Sequence, residues 1–142
     1  MSPADAPNIS SVVVHVDGGA RGNPGPAAVG VVVSAPDGTV LDEFAETIGV
    51  ATNNVAEYTA LLRGVERATA LGATEAEFVN DSELVAKQIN GLYKVKHPAM
   101  RPLYEEARAA LGGLARWEIR SVPRAENARA DALVNEALDG LR

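Results

Sequence analysis

The chain has 142 residues, 46% of them hydrophobic, a mean hydropathy of −0.02 and no cysteine. That length suits one domain with a sizeable core, while the composition excludes disulfides and thiolate metal sites and leaves no apolar run long enough to span a bilayer. Two histidines argue against a histidine-rich zinc site, and a net charge of −6 argues against a simple electrostatic DNA binder, although clustered carboxylates with bound cations invert the local sign.

In chain order, residues 1–10 read as a flexible leader without the features of a signal peptide, and residues 11–142 as a single domain. Residues 12–17 form a β-branched strand that ends on Asp17 and runs into the glycine-rich turn Gly18-Gly19-Ala20-Arg21-Gly22-Asn23. Residues 27–35 and 39–48 are two more strands, joined as a hairpin by Pro36-Asp37-Gly38. After the polar break Thr52-Asn53-Asn54, apolar residues at 55, 58, 61, 62, 65 and 68 mark one helix face, and Gly72 closes that helix. A strand over 75–80 and a helix over 82–90 follow, the helix stopped at Gly91. Residues 92–99 make a loop carrying Lys94, Lys96 and His97. A helix over 102–114, a strand over 117–122 and a helix over 127–141 complete the chain. The order βββαβααβα implies an α/β fold, a mixed sheet with helices on both faces.

Four acids stand at element boundaries: Asp17 at the end of strand one, Glu57 in the first turn of helix one, Asp81 after strand four and Asp131 in the first turn of the last helix. Each has a plain structural explanation. Asn54 with Glu57 resembles a capping box, Asp81 or Ser82 caps helix two, and Asp131 complements a helix dipole. Their joint placement favours a different explanation. Strands one and four, as central neighbours, bring their ends side by side, and the two helices bring Glu57 and Asp131 over the same edge. Four carboxylates gathered there repel one another unless cations hold them, which is the arrangement of a two-metal site for phosphodiester chemistry. Hard oxygen donors favour Mg²⁺, with Mn²⁺ as the alternative ion. No P-loop, G-x-S-x-G elbow or cysteine nucleophile competes. His15 and His97 read as a strand histidine and a loop histidine without a catalytic part.

Four segments in order then carry a resemblance: VDGGARGNPGPAAVG from Val16, TNNVAEYTAL from Thr52, VNDSELV from Val79 and ENARADALVNEAL from Glu126. The chain resembles the type 1 ribonuclease H family from Ser11 to the end of the last helix, in its compact branch without a basic protrusion. The resemblance implies a ribonuclease H-like fold, a five-stranded sheet in the order 3-2-1-4-5 with strand 2 antiparallel. It implies hydrolysis of the RNA strand of RNA–DNA hybrids to 5′-phosphate and 3′-hydroxyl ends, with two Mg²⁺ ions held by Asp17, Glu57, Asp81 and Asp131. It places nucleic-acid contacts on Gly18, Ala20, Gly22, Asn23, Thr52, Asn53, Asn54, Lys94 and Lys96. The chain reads as a cytoplasmic monomer away from membranes, since nothing in it demands a partner copy or a bilayer; in some bacterial members of the family such a domain is fused to a C-terminal phosphatase-like domain, an arrangement open to the full-length protein here as well. The family's histidine before the last acid is missing from SVPRAENARAD, where Arg124 or Glu126 stands as the substitute. A catalytically silent hybrid-binding module and another nuclease of the same fold, such as a resolvase or a 3′-5′ exonuclease, are the alternatives.

Overall fold

The computed structural model describes residues 10–141. Most of the expected leader therefore lies outside the described residues. Ser10 is an exception, because its carbonyl accepts hydrogen bonds from the amides of Thr74 and Glu75, at 2.9 and 2.8 Å, and so joins the start of β1 to the start of β4.

Five strands form one sheet in the order β3-β2-β1-β4-β5. They are β1 (Ser11–Ala20), β2 (Gly25–Ser34), β3 (Val40–Ala51), β4 (Glu75–Asn80) and β5 (Arg116–Ser121). β2 runs antiparallel to both β1 and β3, while β1, β4 and β5 are mutually parallel. Four helices and a short turn of 3₁₀ helix connect them: α1 (Asn53–Ala70), α2 (Glu83–Ile89), α3 (Arg101–Leu111), the 3₁₀ turn Arg124–Asn127 and α4 (Ala128–Asp139). Among the described residues no helix is long and apolar enough to cross a membrane.

Alternation along the strands divides the core in two. Val12, Val14 and Val16 of β1 and Val29, Val31 and Val33 of β2 pack with α1, α2 and α3 in the larger cluster, which centres on Tyr58, Leu61 and Phe78. Ala28 and Val32 point to the other face, where Ala130, Leu133, Val134 and Leu138 of α4 cover them. Helices therefore lie on both faces, as the element order implies.

Several expected boundaries move, each for a local reason. α1 starts two residues early because the Thr52 hydroxyl, not Asn54, accepts the cap hydrogen bond, from the Val55 amide at 3.3 Å. Its end is a Schellman turn: Gly72, at φ +86°, donates to the Thr69 carbonyl, and Ala73 donates to that of Ala68. α3 stops at Leu111, before Gly112 and Gly113, so Leu114 reaches the core from beyond the helix. α4 ends at Asp139, which leaves Leu141 exposed rather than inward-facing.

Candidate active site

Asp17 is not the last residue of its strand, contrary to the sequence expectation. The parallel pairing of β1 with β4 ends at His15↔Val79, but the antiparallel pairing with β2 continues through Gly18↔Val29 to Ala20↔Ala27. Asp17 thus sits where β1 parts from β4, with β2 still beside it. At Gly18 the first turns of α1 press directly on the strand, for a Cβ there would lie 2.1 Å from the Ala56 carbonyl oxygen. That contact brings Glu57, the next residue, over Asp17. Glu57 stands beyond the first turn of α1, since the helix begins at Asn53 and carries no acid in its first turn.

Asp81 follows β4 directly. The cap of α2 is Ser82, whose hydroxyl accepts from the Val85 amide at 3.2 Å. Buried Asn80 fixes this corner, accepting from the Ser82 amide at 2.6 Å and donating to the Arg120 carbonyl. Asp81 is left free of capping. Asp131 lies in the first turn of α4, as expected. Its helix is tied to β1 by Asn127, whose amide donates to the Val16 carbonyl at 2.9 Å in a fully buried position. All four acids line one groove of about 280 Å³, together with the last residues of β1, Gly18 to Ala20, and Arg21 just beyond them, and with Val134, Asn135 and Leu138 of α4.

The electrostatics of the groove are unfavourable to bare carboxylates. Asp17 is 7% exposed, and burial, then the charge of Asp81 and the closeness of Asp131, push its carboxyl up to about 8. Burial also raises Glu57, against the Ser82 hydroxyl, which draws it down. Glu57 Oε2 is buried with no hydrogen-bond partner. Among the described residues no three Asp, Glu or His side chains are gathered into a ready coordination shell. An all-carboxylate donor set, a buried oxygen without a partner and an Asp raised by burial and by its acidic neighbours fit a hard divalent ion.

The other expected site residues fall into three places. The Ala20 amide donates to Asn53 Oδ1 at 2.8 Å and the Asn53 amide to Asn23 Oδ1 at 3.1 Å, so these side chains lock the turn to the start of α1. Gly22, at φ +104°, holds the tip of that turn. Asn23, Thr52 and Asn54 line a second groove of about 250 Å³ with His97, Ala99 and Met100. Lys94 and Lys96 are exposed on either side of buried Val95, which anchors their loop. The two proposed histidine substitutes separate. Arg124 Nε is 3.8 Å from Asp81 Oδ2 and 3.8 Å from Asp131 Oδ1, inside the acid groove. Glu126 instead lines a groove with His15, Val32 and Arg129, apart from the acids, because the 3₁₀ turn carries it around. Burial and the Arg120 charge lower the His15 ring, and His97 Nδ1 accepts the Ala99 amide at 3.1 Å. Sequence reasoning missed Arg21, Asn80 and Asn127. Only Asn127 stands where a signal could be read, a polar residue at the head of an apolar helical pattern, yet its side chain makes no cap bond and goes to a strand instead.

Comparison with known proteins gives consistent neighbours. A family model described as reverse transcriptase-like matches residues 15–137. The bifunctional protein Rv2228c of Mycobacterium tuberculosis is 51% identical over 129 residues, 90% of this chain but 35% of that protein. Ribonuclease HI of Halobacterium salinarum is 49% identical over 128 residues, 90% of this chain and 64% of the relative. The chain therefore spans about a third of the mycobacterial protein and less than two thirds of the haloarchaeal one. The crystal structure of the latter superposes with a TM-score of 0.90 at 48% identity, covering 92% of this chain and 99% of that one. That of LC11-RNase H1 in complex with an RNA/DNA hybrid gives 0.87 at 42%, covering 91% and 97%.

Proposed function

Because the chain belongs to the type 1 ribonuclease H family, we propose that it is an endonuclease that hydrolyses the RNA strand of RNA–DNA hybrids, leaving 5′-phosphate and 3′-hydroxyl ends. The observation that carries this reading is the convergence of Asp17, Glu57, Asp81 and Asp131 on one open groove. Members of the family generally depend on divalent metal ions. Here the four carboxylates are the residues that would hold them, two Mg²⁺ ions or, in their place, Mn²⁺. Bound ions would supply activation of the attacking water and stabilisation of the leaving 3′-oxygen.

The chain's own groups supply position and selection. Asn23 and Asn53 brace the end of β1 and the turn after it against the start of α1, so that a narrow wall of backbone and small side chains, Gly18 to Ala20, faces the groove. Such a wall admits the sugar edge of the RNA strand, and amide side chains both donate to and accept from a 2′-hydroxyl. Asn54 joins Asn23 and Asn53 on the RNA strand, Thr52 beside it in the second groove suits a phosphate of the DNA strand, and exposed Lys94 and Lys96 would face that strand too. The solved complex of LC11-RNase H1 with an RNA/DNA hybrid supports a hybrid duplex as the substrate. A fusion to a further domain in the full-length protein fits the bifunctional mycobacterial relative, of which the matching solved part is called the N-terminal RNase H domain.

The test is a gel assay of one end-labelled RNA strand, alone, paired with DNA and paired with RNA, each with Mg²⁺, Mn²⁺ or EDTA. Internal cuts confined to the hybrid and lost in EDTA are expected, and Asp17→Asn should lower the rate by at least about a thousandfold. Hybrid binding without cutting under either metal would make the chain a binding module instead.

A further inference from the structure

Two arginines line the acid groove, and they are held differently. Arg21 turns towards the end of α4, 2.8 Å from Asp139 Oδ1 and 3.4 Å from Asn135 Oδ1. Arg124 reaches inward, its Nε equidistant from a carboxylate oxygen of Asp81 and one of Asp131 at 3.8 Å. Its side chain is 78% exposed, so packing does not wedge it there. The backbone that carries it is fixed, because Asn127 at the other end of the same 3₁₀ turn is bonded to Val16 of β1. A rigid base with a loose, charged side chain describes a group that swings while its root stays still.

We propose that Arg124 is a resident counter-ion that competes with divalent cations for Asp81 and Asp131 and so sets the ion concentration at which the site fills. The inference rests on the reading of the four acids as metal ligands. In the ion-free protein the guanidinium offsets part of the repulsion among the carboxylates. An exposed pair of this kind is held by little energy, so an arriving ion displaces it at modest cost. Until displaced, however, the guanidinium lowers the attraction that the acids exert on a second cation and stands in its approach. Once displaced, it remains at the rim of the groove on its fixed turn.

The experiment titrates Mg²⁺ into nucleic-acid-free protein and follows the amide NMR signals of Asp17, Glu57, Asp81 and Asp131. Arg124→Gln, which keeps most of the side chain and loses the charge, should reach half-saturation at a Mg²⁺ concentration roughly fivefold lower. Arg124→Lys should stay near the parent. Arg21→Gln removes the same net charge from the same groove and should shift the midpoint by less than about twofold, because its charge already faces Asp139. An unchanged or higher midpoint in Arg124→Gln overturns the inference, as does an equal shift in Arg21→Gln, which would reduce the effect to overall charge. A parent that shows no Mg²⁺ response at any of the four acids overturns the metal reading itself, and the inference with it.

Discussion

Burial and the neighbouring charges of Asp81 and Asp131 hold the Asp17 carboxyl at about 8, whereas in an unfolded chain it ionises near about 4. Between those values the ion-free folded protein keeps a proton that the unfolded chain has released, so its stability falls as the pH rises from about 4 towards about 8. Melting curves in EDTA should show that decline. Asp17→Asn, which has no such proton to lose, should flatten the slope and melt above the parent at pH 8 while losing cleavage. Added Mg²⁺ should raise the parent's Tm more than the variant's, since an ion that binds the folded state stabilises it by mass action. A parent whose Tm is flat or rising over this range in EDTA would contradict the buried carboxylate. At this scale the sequence singled out four acids, which the fold does bring to one groove, and hid how they are held. Asp81 is released from capping only because Ser82 takes that part, and nothing in the order of residues shows Arg124 meeting two acids while Glu126, two residues on, meets none of them.

Helices reach the site through glycines that bring backbone against strand. Gly18 seats the start of α1 on β1, and Gly64 lets the middle of the same helix rest on Val14 and Val16. Gly30 does the same for α4 on β2, where a Cβ would come within 2.5 Å of the Ala130 carbonyl oxygen and 2.9 Å of Leu133 Cβ. Gly30→Ala must therefore push α4 outward. It should cost about 1–3 kcal/mol in urea unfolding, as overpacking of a close contact does, and should slow cleavage because Asp131 follows Ala130 on the displaced turn. Gly19 provides the contrast: the nearest heavy atom to a Cβ there is Val134 Cγ1 at 3.7 Å. Gly19→Ala should leave the unfolding midpoint almost unchanged. Equal losses at the two positions would mean that glycine content, not helix seating, matters. Element type and order were legible because apolar spacing differs between strand and helix. The ends were less so, since caps such as Thr52 and the stop before Gly112 depend on which backbone groups are free at each terminus.

Across the whole molecule the net charge is −6, so affinity for a polyanion has to come from local cation density rather than overall attraction. The loop anchored by Val95 offers Lys94 and Lys96 on the surface, in the place where a basic protrusion is missing. Replacing both with Ala should weaken hybrid binding and make the dependence of log K on log salt shallower by about 1.5–2. An unchanged slope would remove these lysines from the DNA-strand track.

By itself the sequence determined the strand and helix order, the four acids and the family, because hydrophobic period and short motifs are local properties of a chain. It also determined that any metal here would meet oxygen donors, since there is no cysteine and only two histidines. Only the tertiary structure decided that Asp17 stands inside a strand at the point where β4 departs, that Asn127 ties the last helix to that strand, and that Arg124 rather than Glu126 faces the acids. Each of these depends on the distance and direction between residues far apart in the chain, such as Val16 and Asn127 at 111 positions, or on the path of a single 3₁₀ turn, and such relations arise only when the sheet and helices pack.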